Sequence, residues 1–179
     1  MMLIDDIDAA VRPWPRAVQA ALALAAAGLA LFLPVHQALG SVLVSGALAV
    51  IALTDWRLRR IPDLMLGALV AGGLLRLADT PEAFAARLIF AGLAIAGLLA
   101  LRRVVSNAAG RPALGLGDVK LAASAALLVA PEHFGWMIAT AAGAGVIHGL
   151  LQPHTARAGL PFGTWLALGL ALFLLAGAG

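Results

Sequence analysis

Seven apolar segments follow one another along this chain, and they leave little room for a water-soluble fold. They lie at roughly 17–33, 37–54, 64–78, 84–101, 118–130, 134–151 and 161–177. The chain is 63% hydrophobic and 12% charged, whereas about a quarter of the residues in a soluble domain carry a charge. Since ~20 apolar residues cross a bilayer as a helix, we predict an all-α, polytopic membrane bundle of about seven transmembrane helices. Segments 64–78 and 118–130 are short for such spans.

The chain is predicted to contain one membrane domain and a short tail. Residues 1–16 are expected to form a cytoplasmic N-terminal tail, and residues 17–179 a single transmembrane domain without internal repeats. The tail carries acids at Asp5, Asp6 and Asp8, whereas a signal peptide begins with a basic region. The first apolar segment is therefore interpreted as a retained helix. The longest connection, about 102–117, is expected to be a cytoplasmic loop.

Most of the basic residues fall on one side of the predicted membrane. With the N-terminus in the cytoplasm, ten of the twelve lie on the inner side: Arg12, Arg16, Arg57, Arg59, Arg60, Arg102, Arg103, Arg111, Lys120 and Arg157. Because cytoplasmic loops are enriched in lysine and arginine, this orientation is favoured. It also explains the basic composition without a nucleic-acid partner. The expected partners of these loops are the anionic headgroups of membrane lipids.

Two acids, Asp55 and Asp118, are not explained by hydropathy. Asp55 follows an apolar run and Asp118 precedes one, so both fall at the predicted cytoplasmic boundary and can face one cavity. Structural roles are available to each. Asp118 can be a helix N-cap, and Asp55 can be an interfacial charge paired with Arg57, Arg59 or Arg60. An acid at a helix C-terminus, however, opposes the helix dipole.

The functional hypothesis joins the two acids in one site. Two carboxylates in a small, poorly hydrated space do not both ionise readily, and they titrate as a unit. One can then activate water while the other protonates a carbonyl oxygen or a leaving amine. This is the chemistry of aspartic peptide hydrolysis. Gly115 and Gly117 would let a backbone approach closely.

At these residues the chain resembles a known family, the type IV prepilin peptidases, which are membrane aspartyl proteases of the GxGD class. Three stretches carry the resemblance: TDWRLRRIPD (54–63) with Asp55, Pro62 and Asp63; GLGDVKL (115–121) with Gly115, Gly117, Asp118 and Lys120; and LPFGTWLALG (160–169) with Pro161, Phe162 and Gly163. They are similar, in order, to the first-aspartate motif, the GxGDxK motif and the Pro-Phe-Gly start of the last helix. The resemblance covers about 40–177.

The resemblance implies that Asp55 and Asp118 are the catalytic pair. The family cuts the basic leader from prepilins or pilin-like proteins, at the cytoplasmic face of the bacterial inner membrane. Its core has six helices, so the segment 17–33 is an addition. Members that also N-methylate the new pilin end carry paired cysteines, and this chain has none. It is therefore similar to the short, peptidase-only type of Flp/Tad-like pili, for which neither methyltransferase activity nor a cofactor is expected.

The other polar residues receive structural interpretations. Asp63, after Pro62, is expected to cap the segment 64–78. Lys120 is interpreted as an anchor that reaches the headgroups, or as a charge that biases the two acids. The four histidines show no metal-ligand pattern, and no metal is expected. His148, in an apolar segment beside two glycines, is predicted to pack or hydrogen-bond between helices.

One other class of function stays open. A small proton-coupled transporter could use Asp55 and Asp118 as a proton relay. Such proteins are expected to have broken helices and polar residues near the middle of the membrane. Here the acids lie at the inner boundary, and the middle of each segment is almost wholly apolar, which favours the peptidase.

Overall fold

The computed structural model describes residues 35–110, 114–151 and 160–177, and within them the chain forms six α-helices and no strands. The helices are α1 (Val35–Leu58), α2 (Asp63–Arg76), α3 (Pro81–Ala109), α4 (Leu116–Leu128), α5 (Pro131–Leu151) and α6 (Phe162–Leu175). They match the last six predicted segments in order. The predicted tail (1–16) and first segment (17–33) lie outside the described residues.

Helix α1 ends at Leu58, so Asp55 lies in its last turn, as predicted for an acid at the C-terminus of a helix. One predicted boundary is wrong. Helix α3 continues to Ala109, so the first half of the predicted loop 102–117 is helical. Charged and polar residues in α3 lower its hydropathy without interrupting the helix. It ends at Gly110, whose φ of 63° is the left-handed conformation that glycine adopts readily.

The helices have the character of a membrane bundle. Helices α1, α3 and α5 are long and apolar enough to cross a membrane, and α6 is a shorter apolar helix. The prediction of a helical membrane bundle is thus confirmed, while the count of seven spans stays a prediction.

Helix α4 is the centre of the bundle. It packs against α2, α3, α5 and α6, and every residue from Leu121 to Leu128 is buried. A helix that is apolar on all sides belongs in such an enclosed position. Because other helices surround it, its length of 13 residues need not match the bilayer. Helix α3 is peripheral: it contacts α4 and has no fully buried residue.

Helices α1 and α2 cross in direct backbone contact at two glycines. A Cβ atom on Gly72 would lie 2.7 Å from the carbonyl oxygen of Gly40, and a Cβ atom on Gly40 would lie 2.7 Å from that of Gly72. Small residues let membrane helices approach this closely. This crossing fixes the start of α1 against the last turns of α2.

Polar contacts join the two helices beyond this crossing, at the start of α1 and the end of α2. His36, in the first turn of α1, contacts Asp79 at 2.5 Å, and Gln37 donates to the same carboxylate at 3.1 Å. These hydrogen bonds, that of His36 first, lower the pKa of Asp79, which lies in the exposed connection after α2. Close packing and hydrogen bonds therefore both hold the start of α1 to the end of α2.

We expect Gly72→Ala to destabilise the bundle by about 1–3 kcal/mol, the usual cost of an added methyl group in a packed interface. The new Cβ atom would press on backbone, which cannot turn aside. Gly67→Ala, on the same helix with nothing within 4 Å of the new atom, should be neutral or stabilising. Thermal unfolding in detergent measures both, and equal melting temperatures would contradict the assigned crossing.

Candidate active site

A cavity of about 400 Å³ opens at the end of the bundle where α1 ends and α2 and α4 begin. Its lining includes Asp55, Arg59, Ile61, Asp63, Gly117 and Asp118. The two predicted acids, which lie far apart in the sequence, thus face one space.

Asp55 is held by the first turn of α6. Its side chain is buried, with 6% of the residue exposed. Its Oδ2 atom accepts hydrogen bonds from the backbone N–H of Thr164 at 2.7 Å and from the Thr164 hydroxyl at 3.1 Å. The same hydroxyl lies 3.1 Å from the carbonyl oxygen of Ala52, one turn earlier in α1. The carboxylate is therefore fixed in one orientation.

This contact also supplies the missing cap of α6. The first backbone N–H groups of a helix need acceptors, which the N-cap side chain commonly provides. The N-cap of α6 is Pro161, which makes no such hydrogen bond. Asp55 provides the acceptor from another helix, and its negative charge lies at the positive end of the α6 dipole. The apparent mismatch of an acid near the end of α1 is resolved by the start of α6.

Gly163 allows this close approach. A Cβ atom there would lie 3.1 Å from Cγ of Asp55 and 2.7 Å from Cδ1 of Ile61. Ile61 also packs on Gly117, where an added Cβ atom would lie 3.3 Å from the Cβ atom of Ile61. Ile61, which belongs to the stretch 54–63, thus packs between Gly117 of the stretch 115–121 and Gly163 of the stretch 160–169. The three stretches that the sequence singled out meet at this side chain.

Asp118 occupies the third position of α4, and the prediction that it is the N-cap is wrong. The N-cap is Gly115. The carboxylate folds back toward that residue, so a Cβ atom on Gly115 would lie 2.7 Å from Oδ2 of Asp118. An acid at this position stabilises the start of a helix through its dipole. Gly115 therefore makes room for the acid itself.

Lys120 and Asp63 form an ion pair at the mouth of the cavity, with Nζ 2.7 Å from Oδ1. Asp63 is the first residue of α2; its N-cap is Pro62, and no side chain caps it, so the predicted capping role of Asp63 is wrong. Lys120 has a protein partner that the headgroup interpretation did not foresee. Exposed ion pairs contribute little stability, but this one links the starts of α2 and α4.

Aromatic side chains pack behind Asp55. His148, which is buried, lies edge-on to Trp56 and Trp165, with ring centroids 5.1 and 5.5 Å apart. The predicted packing role of His148 is thus confirmed. Phe162, the first residue of α6, packs against the main core. In the part of the chain that the structure describes, no group of three histidine, cysteine or acidic side chains could hold a metal ion.

Thr164 and Ile61 were not found by sequence reasoning. The available signal for Thr164 was indirect: a helix that begins after Pro161, with no capping side chain, needs an acceptor from elsewhere. Nothing in the sequence says which acid supplies it. Ile61 looked like an ordinary apolar residue between Arg60 and Pro62.

The comparisons with known proteins agree with the geometry. The model of the type IV leader peptidase family matches residues 42–178, which includes all three motif stretches. Neither the curated proteins nor the solved structures contain a match to the chain.

We expect Thr164→Val to lower the free energy of unfolding by about 1.5–3 kcal/mol, the value of a hydrogen bond to a charged group. The variant keeps the shape of the side chain and the backbone N–H but removes the hydroxyl. Thr140→Val is the matched control, because the Thr140 hydroxyl bonds only within its own exposed helix turn. Thermal or denaturant unfolding compares them, and equal losses would contradict the role assigned to Thr164.

Proposed function

We propose that this chain, which belongs to the type IV leader peptidase family, is a membrane endopeptidase that uses Asp55 and Asp118 as an aspartyl pair. Family membership indicates a peptidase. The observation that carries the assignment of the pair is the shared cavity, into which the last turn of α1 and the first turn of α4 each contribute one carboxyl group.

The surroundings of the two acids suggest different roles. Asp55 accepts two hydrogen bonds from Thr164, and donors of this kind favour the ionised form of a carboxylate. Asp118 faces that charge, and repulsion favours a proton on it. Asp55 would then take a proton from water while the water oxygen attacks the peptide carbonyl carbon. Asp118 would give its proton to the leaving nitrogen as the C–N bond breaks, so one water molecule is consumed for each bond cut.

The proposed substrate is a prepilin or pilin-like protein with a basic leader followed by a hydrophobic segment. The cavity lies at the end of the bundle that carries Arg57, Arg59 and Arg60, which the positive-inside rule assigns to the cytoplasm. A hydrophobic segment in the bilayer would bring the bond before it to this depth. We propose leader cleavage without N-methylation, at the cytoplasmic face of the bacterial inner membrane, with the N-terminus in the cytoplasm.

The interior of the bundle favours this function over proton-coupled transport. A transporter needs polar groups along a path through the membrane. Most described residues buried deeper than Asp55 are apolar, among them Ile51, Leu121 and Leu166. The buried hydroxyls there, those of Thr54 and Ser124, donate to carbonyl oxygens of their own helices. The two acids therefore suit chemistry at one face better than a relay across the membrane.

We expect Asp55→Asn and Asp118→Asn each to lower the cleavage rate by about 10²–10⁴-fold, because each removes a proton-transfer group. Co-expression with leader-bearing pilin-like proteins from the same genome, read as a leader-sized mobility shift, measures the effect. Both variants should still insert and retain helical content.

Asp79→Asn is the matched control for these variants. It removes an exposed acid at the opposite end of the bundle and should leave cleavage unchanged. Full activity in either cavity variant would overturn the aspartyl pair. Proton transport into liposomes that is lost in Asp118→Asn, without any cleavage by the wild type, would favour the transporter.

A further inference from the structure

We infer that Arg59 is a substrate-binding residue whose guanidinium Nη1 donates a hydrogen bond to the carbonyl oxygen of the scissile peptide bond. The inference rests on the proposed peptidase function and adds a third side chain to the two acids. It names the main chain of the substrate, rather than a side chain, as the group that Arg59 recognises.

The first observation is an unsatisfied donor at the active site. Nη1 of Arg59 is buried and has no hydrogen-bond partner among the described residues. Buried polar groups are nearly always paired, and leaving one unpaired is costly, more so for a charged group. Arg59 lines the cavity, so an acceptor can reach it from a bound ligand. A peptide threaded past the two acids would bring carbonyl oxygens to this donor.

The second observation is the backbone conformation that directs the side chain. Among the described residues, Arg59 alone combines a side chain with a positive φ, of 54°. Its backbone N–H bonds to the carbonyl oxygen of Asp55 at 3.1 Å, which ends α1 in a left-handed cap. Glycine usually occupies this position because other residues are strained there. Such strain is concentrated at functional sites, and here it fixes the Arg59 backbone relative to Asp55.

The third observation is charge, which selects the kind of acceptor. Arg59 lines the same cavity as Asp55 and Asp118, so its positive charge lies near the reacting atoms. Arg59 would repel the lysine and arginine side chains of a basic leader, whereas a neutral carbonyl oxygen carries no such penalty. As water attacks, negative charge develops on that oxygen, and a fixed donor nearby stabilises it.

The chain offers a matched control for this residue. Arg57 lies two residues earlier on the same helix end, is exposed and does not line the cavity. Arg57→Gln and Arg59→Gln therefore remove the same charge from the same region of the membrane surface. A role in membrane anchoring or topology would affect both variants alike, whereas substrate binding involves Arg59 alone.

Steady-state cleavage of a leader-bearing peptide in detergent gives kcat and KM for each variant. We expect Arg59→Gln to lower kcat/KM by about 10²-fold, as losing one donor to a developing oxyanion does, and Arg57→Gln to stay within about twofold. Arg59→Lys, which keeps the charge but loses the planar donor fork, should recover only part of the loss.

Arg59→Gly separates binding from folding. Glycine accepts a positive φ without strain, so this variant should melt at or above the wild-type temperature while losing as much activity as Arg59→Gln. Wild-type kcat/KM in Arg59→Gly would overturn the inference, as would equal losses in Arg57→Gln and Arg59→Gln.

The nature of the acceptor is tested on the substrate. If Arg59 binds the main chain, neutralising the acidic side chains of the peptide should leave the Arg59→Gln defect unchanged. Disappearance of the defect would identify a carboxylate partner and overturn the main-chain assignment. If the wild type cleaves no leader-bearing peptide, the proposed function falls first and the role of Arg59 falls with it.

Discussion

The contact between Asp55 and Thr164 is the interaction on which the rest of the site depends. It joins the end of α1 to the start of α6, the first and last helices that the structure describes, by two hydrogen bonds to one carboxylate oxygen. Helix α6 begins at a proline that cannot cap it, so the acid has a structural role before it has a chemical one. The two hydrogen bonds orient this carboxylate, and they stabilise its ionised form against the cost of burial. The base of the proposed reaction is therefore preorganised by the interaction that closes the bundle.

Close packing around Ile61 brings the starts of α4 and α6 next to Asp55. Gly117 and Gly163 each lack the Cβ atom that would press on Ile61, so the starts of α4 and α6 can approach the short connection between α1 and α2. Asp118 enters the cavity because α4 begins there. Gly117 and Gly163 thus allow the helices to pack closely. Gly115 leaves room for the Asp118 carboxylate, which the sequence could only suggest was room for a substrate.

The sequence predicted the helices and the pair of acids, but not the contacts between helices. Hydropathy reports burial along one segment at a time, and it located α1 and α5 while it mistook the polar end of α3 for a loop. Two acids at one predicted boundary were enough to predict a shared cavity. The position of Asp118 within α4, the Lys120–Asp63 pair and the part played by Thr164 depend on how helices meet in space. The left-handed turn at Arg59 could not be predicted for a different reason. Glycine is the residue that usually indicates such a cap, and an arginine at this position does not.

Asp55 and Arg59 show how stability and function are divided at this site. The acid would stabilise the fold in the state that the proposed reaction needs, because an ionised carboxylate can both cap α6 and accept a proton. Arg59, in contrast, destabilises the fold. Its backbone is strained and one of its donors is left unpaired, at a position where glycine would adopt the same φ without strain. A strained residue persists when the surrounding structure determines its conformation, and here the α1 cap and the Ile61 contacts do so on either side. Binding a substrate carbonyl would then release part of the cost that folding leaves at Arg59. This interaction would assist catalysis most if it were stronger in the transition state, where negative charge develops on the carbonyl oxygen, than in the bound substrate.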